Sequence, residues 1–81
     1  MEMLESIMVM LSELEQDTQT PRHVKAKLSS TMKVLNSADE HSIKVSKALC
    51  ELEDITDDSK VDSQIRMQIF NVVSMLEARK F

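Results

Sequence analysis

The sequence predicts an all-α fold, a four-helix bundle-like arrangement made of two repeated helix–turn–helix hairpins. Its 81 residues contain no glycine and one proline, the two residue types that most often interrupt helices. Apolar residues recur every three or four positions in four separate segments. The last two segments repeat the first two at a spacing of 41 residues. We therefore expect one helical domain over 1–81, with hairpin 1 at about 1–36 and hairpin 2 at about 39–81.

The first hairpin has a recognisable start and end for its second helix. Helix one is predicted to end near Gln16, and helix two to open at Thr20 and Pro21. Threonine caps free backbone N–H groups, and proline suits the first helical position. Asn36 is expected to end helix two in the left-handed conformation that glycine usually supplies. The apolar stripes are Leu4, Ile7, Met8, Leu11 and Leu14, followed by Val24, Leu28, Met32 and Leu35.

The second hairpin is delimited in a similar way. Ser37 and Glu40 have the spacing of a capping box, which predicts the start of helix three. The polar run at 56–59 ends that helix, and Arg79 and Lys80 close helix four at the negative end of its dipole. The apolar stripes are Val45, Ala48, Leu49, Leu52 and Ile55, followed by Val61, Ile65, Ile69, Val72, Val73 and Leu76.

The turns of the two hairpins coincide as well as their stripes. Asp17 aligns with Asp58, each is followed by a hydroxyl residue, and the next stripe resumes at the same distance. Pro21 aligns with Asp62, where the match fails. Shared helical periodicity explains part of the apolar match but not the coincident turn. We therefore predict an internal duplication whose two hairpins pack their apolar faces together.

Two stretches resemble the uncharacterised protein family 0147. Residues 67–77 read MQIFNVVSMLE, similar to the family's usual T-Q-I-W-N-I-V-S-L-L-E, with Phe70 in place of tryptophan. Residues 17–22 read DTQTPR and resemble its D-T-x-x-P-R turn. Residues 59–62 lack the family's N-x-P turn, so the resemblance does not fix the start of helix four. It implies a compact helical fold and an intracellular archaeal protein, and it implies no activity.

The sequence indicates a protein that is not an enzyme and that takes no cofactor, metal or small-molecule substrate. Cys50 is the only thiol and aligns with Val9, which predicts a half-buried structural position rather than a nucleophile. His23 and His41 match no metal motif, and the acidic cluster of Asp54, Asp57 and Asp58 lacks the pattern of a calcium loop. Phosphate-binding loops need glycine, which this sequence lacks. We therefore predict no catalytic, cofactor-binding or metal-binding residues.

The same features predict a cytoplasmic protein without membrane association. No apolar stretch approaches the roughly 20 residues needed to cross a bilayer. The first residues lack the basic segment of a signal peptide, and a single cysteine suits a reducing compartment.

Surplus apolar residues indicate a protein interface. Met67 and Phe70 lie off the main stripe of helix four, Phe81 ends the chain, and Met3 and Met10 form a second row on helix one. Methionine adapts to irregular contacts and is common on binding surfaces. These five residues are the candidate interface, and we expect a homodimer or a protein partner to use helices one and four. In the alternative interpretation, helix four is central and buried around its whole girth.

Helix two carries the candidate nucleic-acid contact. Arg22, Lys25 and Lys33 fall near one of its faces, as phosphate contacts would require. The net charge of −4 and the lack of base-stacking aromatics favour instead a solvated face that complements the acidic helix one. A self-associating interaction module is therefore the main hypothesis, and a nucleic-acid or ribosome-associated accessory protein is the alternative.

Overall fold

The described part of the chain consists of four helices arranged in a ring. The structure, a computed structural model, describes residues 2–78, and the side chains from 4 to 78. Arg79 and Lys80, expected to close helix four, lie outside this range. The helices are α1 (Glu2–Gln16), α2 (Arg22–Leu35), α3 (His41–Thr56) and α4 (Ser63–Ala78). Each helix contacts the next, and α4 also contacts α1. The predicted all-α, bundle-like fold is confirmed.

One apolar core fills the centre of the ring, and all four predicted stripes contribute to it. Leu4, Met8 and Met32 pack at its edge and are partly buried. Val61 lies in the turn before α4 and is still buried, so the fourth stripe begins outside the helix. The most buried members are Ile7, Leu11, Val24, Leu28, Ala48, Leu52, Ile69 and Val72. None of the described helices is both long and apolar enough to cross a membrane.

The two interhelix turns of the hairpins share a hydrogen-bond pattern at the 41-residue spacing. The Oδ1 atom of Asp17 accepts the backbone N–H of Gln19, and Oδ1 of Asp58 accepts that of Lys60, each at 2.9 Å. In both turns, the aspartate carbonyl also accepts the N–H of the third residue after it, at 3.1 Å. Aspartate favours such turns because its side chain reaches the backbone two residues on. This match supports the predicted repeat.

Thr20 does not cap α2, contrary to the expectation. Pro21 occupies the cap position of α2, which has no side-chain cap hydrogen bond. The Thr20 hydroxyl instead donates to the Leu14 carbonyl at 2.8 Å, and Thr20 is buried. It therefore adds a second hydrogen bond to a carbonyl at the end of α1, which also accepts the Asp17 N–H at 3.2 Å. Since Pro21 already lies at the boundary, Thr20 sits one residue too early to reach the N–H groups of α2.

The predictions for the turn between the two hairpins were also wrong in detail. Asn36 has φ −91° and ψ 0°, in the right-handed region, so α2 ends without a left-handed residue. The predicted capping box is absent, because Glu40 holds the cap position of α3 without a side-chain cap bond. The Ser37 hydroxyl accepts the N–H of Asp39 at 3.4 Å. Ser37 therefore bends the connecting loop and does not start the helix.

Candidate interaction surface

The solvent side of α4 carries two large apolar side chains. Met67 is 64% exposed and Phe70 is 54% exposed, whereas the residues of the main stripe are buried. The alternative interpretation, in which helix four is buried around its whole girth, is therefore wrong. Isolated exposed apolar residues are ordinary, but two adjacent large ones mark a candidate contact surface.

Six residues form this surface in two rows along the helix axis. Residues three, four, seven or eleven positions apart lie on the same side of a helix. The first row is Arg66, Phe70 and Glu77, and the second is Met67, Ser74 and Ala78. Arg66 is half-buried and the other five are exposed. We call these six residues the outer face of α4.

Comparison of the two hairpins indicates that this apolar character is not a requirement of the fold. At the 41-residue spacing, Met67 corresponds to Ala26 and Phe70 corresponds to Ser29 on α2. Ala26 is exposed and Ser29 is half-buried. Because α2 and α4 hold equivalent places in the two hairpins, small side chains at these positions are compatible with the same packing. The large side chains at Met67 and Phe70 therefore need another explanation.

The remaining candidate interface residues are not on the outer face of α4. Met10 is partly buried and packs against the apolar core. Its role in packing explains its place in the second row of α1. Met3 and Phe81 lie outside the described side chains, so the structure does not place them.

A second exposed apolar feature lies on α1 and was missed in the sequence. Val9 is 55% exposed, although it belongs to no predicted stripe or interface. The available signal was its position off the main stripe, the same signal that identified Met67. Val9 borders a shallow, open groove lined by Leu4, Glu5, Met8, Val9 and Asn36.

Cys50 is exposed, and the expectation of a half-buried position was wrong. Its repeat-equivalent Val9 is exposed as well, because both positions lie on the outer side of their helices. Within the part of the chain that the structure describes, no three histidine, cysteine or acidic side chains are grouped so that they could hold a metal ion.

The basic residues of α2 are unevenly accessible. Arg22 and Lys33 are exposed, whereas Lys25 is half-buried. Lys27, which the sequence analysis did not identify as a candidate, belongs to α2, and its side chain contacts α3. Its Nζ atom is 2.9 Å from Asp54 Oδ2 and 3.7 Å from Glu51 Oε1. The hydrogen bond that Lys27 donates to Asp54 raises the pKa of Lys27.

These contacts correct the expected charge complementarity. We expected the bases of helix two to complement the acidic helix one, but the Lys27 ion pairs run to α3. His23 of α2 also contacts hairpin 2: its Nε2 atom is 3.1 Å from Asp58 Oδ2 in the turn after α3. Part of the basic charge on α2 is therefore neutralised by the neighbouring hairpin.

Asp58 links the turn between α3 and α4 to His23 of α2. Its Oδ1 accepts the Lys60 N–H and its Oδ2 contacts His23. The backbone N–H of Lys60 and, after it, His23 hold the pKa of Asp58 below its ordinary value of 3.8. Both contacts favour the ionised carboxylate.

We expect Asp58→Asn to make the stability of the protein less sensitive to acid. A lowered folded-state pKa adds stability above the ordinary value of 3.8, and that stability is lost as the pH falls through the folded-state pKa. Asparagine retains an acceptor for the turn but does not titrate. Urea unfolding from neutral pH to below 3.8 measures the difference, with Asp57→Asn as the adjacent exposed control. An acid dependence equal to that of the wild type would contradict the role given to Asp58.

The sequence relatives of the chain are archaeal. Residues 1–78 match the uncharacterised protein family UPF0147. The chain is 32% identical over 74 residues to a UPF0147 protein of Archaeoglobus fulgidus, covering 91% of this chain and 85% of the relative. It is 31% identical over 80 residues to one of Methanocaldococcus jannaschii, covering 98% and 86%.

Solved structures have the same helical fold. A crystal structure of a UPF0147 protein from Thermoplasma acidophilum matches with a TM-score of 0.90 at 24% identity, over 95% of this chain and 92% of that one. A crystal structure of a protein of unknown function matches with a TM-score of 0.86 at 33% identity, over 93% and 86%. The family match over nearly the whole length confirms the resemblance seen in the two motifs. The chain belongs to the uncharacterised protein family UPF0147.

Proposed function

We propose that the protein is a non-enzymatic helical interaction module that binds a protein through the outer face of α4. The observation that supports this function is the exposure of Met67 and Phe70, at 64% and 54%, where the equivalent helix carries alanine and serine. These side chains are exposed to water although the packing of the helices does not require them, and the exposure of large apolar surface costs free energy. A partner that covers them removes that cost.

The chemistry of the two side chains suits a binding centre. Burial of apolar surface is favourable by roughly 25 cal/mol per Å², and aromatic residues contribute large areas. Methionine adjusts to irregular partner surfaces at little cost. Polar residues flank the pair along the helix: Arg66 precedes it, and Ser74 and Glu77 follow it. An apolar centre with a polar rim is the usual composition of a protein interface.

Nucleic-acid binding through α2 is less well supported. Lys27 is paired with acids of α3, and Lys25 is half-buried. Arg22 and Lys33 remain exposed on this helix, in a chain of net charge −4. Phosphate binding depends on several accessible bases acting together. Nucleic-acid binding is therefore the alternative, and affinity capture with and without nuclease distinguishes it from protein binding.

The test is affinity capture from the native cell lysate with the tagged full chain, with and without nuclease. We expect the wild type to retain a protein after nuclease treatment, and Met67→Asp to lose it by more than tenfold. Ala26→Asp is the matched control, because residue 26 is exposed at the equivalent position of α2. It should retain the partner at the wild-type level.

Circular dichroism must show that both variants keep the helical content of the wild type. Equal capture by Met67→Asp and by the wild type would refute the role of the outer face of α4. Capture that disappears with nuclease, and that is lost when Lys25 and Lys33 are replaced by glutamate, would favour the nucleic-acid alternative instead.

A further inference from the structure

We propose that the outer face of α4 pairs with the same face of a second copy of the chain, with the two α4 helices antiparallel. This inference rests on the proposed function and names the partner. It depends on the arrangement of charge and of side-chain size along α4, both of which are self-complementary only in the antiparallel direction.

Charge complementarity fixes the register. Arg66 and Glu77 lie eleven residues, or about three turns, apart in the same row of the outer face. When two copies of α4 are related by a two-fold axis that passes between Asn71 and Val72, Arg66 lies opposite Glu77 of the second copy. The symmetry repeats this pair at the other end, so one interface gains two ion pairs.

The hydrogen bonding of Arg66 leaves it available for this contact. Its Nε atom is buried but has no hydrogen-bond acceptor among the described residues. An arginine guanidinium carries five N–H donors in a planar fork that matches a carboxylate. Glu77 is exposed and supplies such a carboxylate. Because the chain itself covers Nε, the carboxylate of the second copy meets the terminal Nη–H groups of the guanidinium and not Nε.

The sizes of the side chains match in the same register. The outer face carries its large side chains, Met67 and Phe70, near the start of α4 and its small ones, Ser74 and Ala78, near the end. Antiparallel pairing places Met67 opposite the gap between Ser74 and Ala78 of the second copy. The two Phe70 rings meet near the two-fold axis. Parallel pairing would instead set large residues against large ones and small against small.

The equivalent helix shows that this complementarity is particular to α4. In hairpin 1, the positions that correspond to Arg66, Phe70 and Glu77 carry Lys25 and Ser29 of α2 and Asn36 at its end, listed in that order. Antiparallel self-pairing of α2 would leave each lysine without a carboxylate and would bury little apolar surface. The outer face of α4 is therefore self-complementary, and the equivalent surface of hairpin 1 is not.

The test combines charge reversal with mixing, read by sedimentation equilibrium of the full chain up to roughly 1 mM, where weak dimers are populated. The wild type should form a dimer. Arg66→Glu and Glu77→Arg should each weaken it by at least tenfold, since each sets like charges opposite one another at two places. An equimolar mixture of the two variants should form a heterodimer, and the double variant should recover the homodimer.

The outcomes separate this proposal from the proposed function. A wild type that stays monomeric, or charge reversals that leave the dimer unchanged, would overturn self-pairing. If the monomeric wild type still captures another protein in a way that depends on Met67, the interaction module stands and its partner is different. If self-pairing holds and the chain captures nothing else, the outer face of α4 serves assembly alone. Circular dichroism of each variant excludes unfolding as the cause.

Discussion

Replacing Leu52 by alanine is expected to lower the free energy of unfolding by about 2–5 kcal/mol. Leu52 is fully buried in the C-terminal half of α3. The substitution removes apolar contacts and leaves a cavity that its surroundings fill only in part. Since domains of this size are stable by about 5–15 kcal/mol, one such cavity removes a substantial fraction of the total.

Leu11→Ala is the matched substitution, because Leu11 occupies the equivalent position of α1 and is also fully buried. We expect a smaller loss at Leu11. The interface of α2 with α3 is the most extensive in the ring, and that of α1 with α4 is the least. A helix held by fewer contacts moves more readily into a cavity, which lowers its cost.

Urea unfolding of the two variants and the wild type, followed by circular dichroism, gives both losses on the same scale. Losses below about 1 kcal/mol at both sites would contradict the burial of these residues. A larger loss for Leu11→Ala than for Leu52→Ala would contradict the difference between the two interfaces.

Ile69→Asp is expected to unfold the protein, whereas Phe70→Asp, one residue later, should leave it folded. Ile69 is fully buried and Phe70 is 54% exposed. A carboxylate at position 69 would lie in the apolar core without a partner, at a cost above about 4 kcal/mol. At position 70 the same carboxylate remains hydrated, so a change within about 0.5 kcal/mol is expected.

Far-ultraviolet circular dichroism and urea unfolding measure this contrast. Ile69→Val serves as the control at the buried site and should cost only about 0.5–1.5 kcal/mol. A Phe70→Asp variant that unfolds together with Ile69→Asp would show that Phe70 contributes to the core. The proposed interaction surface would then lose its main support.

The fold was predictable because burial repeats with the period of the helix. Residues such as Leu28 and Ile69 lie in regular stripes, and their burial follows from spacing alone. The repeated turn was predictable because Asp17 and Asp58 are chemically suited to the same hydrogen bond. The role of Thr20 was not predictable, because its hydroxyl donates to the Leu14 carbonyl of α1, and sequence spacing does not show which backbone group a hydroxyl reaches.

The candidate surface was only partly predictable. Met67 and Phe70 were identified from their position off the stripe, and both are exposed. Met10 met the same criterion and yet packs against the core. Spacing gives the side of a helix but not how closely its neighbours approach that side. The pairing of Lys27 with α3 depends in the same way on the order of helices around the ring, which the sequence does not state.

The order of the ring has a consequence for how the chain folds. Three of its four helix interfaces join helices that are consecutive in sequence, and only the contact of α1 with α4 spans the chain. Each helix can therefore dock on the one before it after closing a short loop, which costs little chain entropy. Contacts between sequence neighbours favour rapid folding. We expect the sparse α1–α4 contact to form last, as the step that closes the ring.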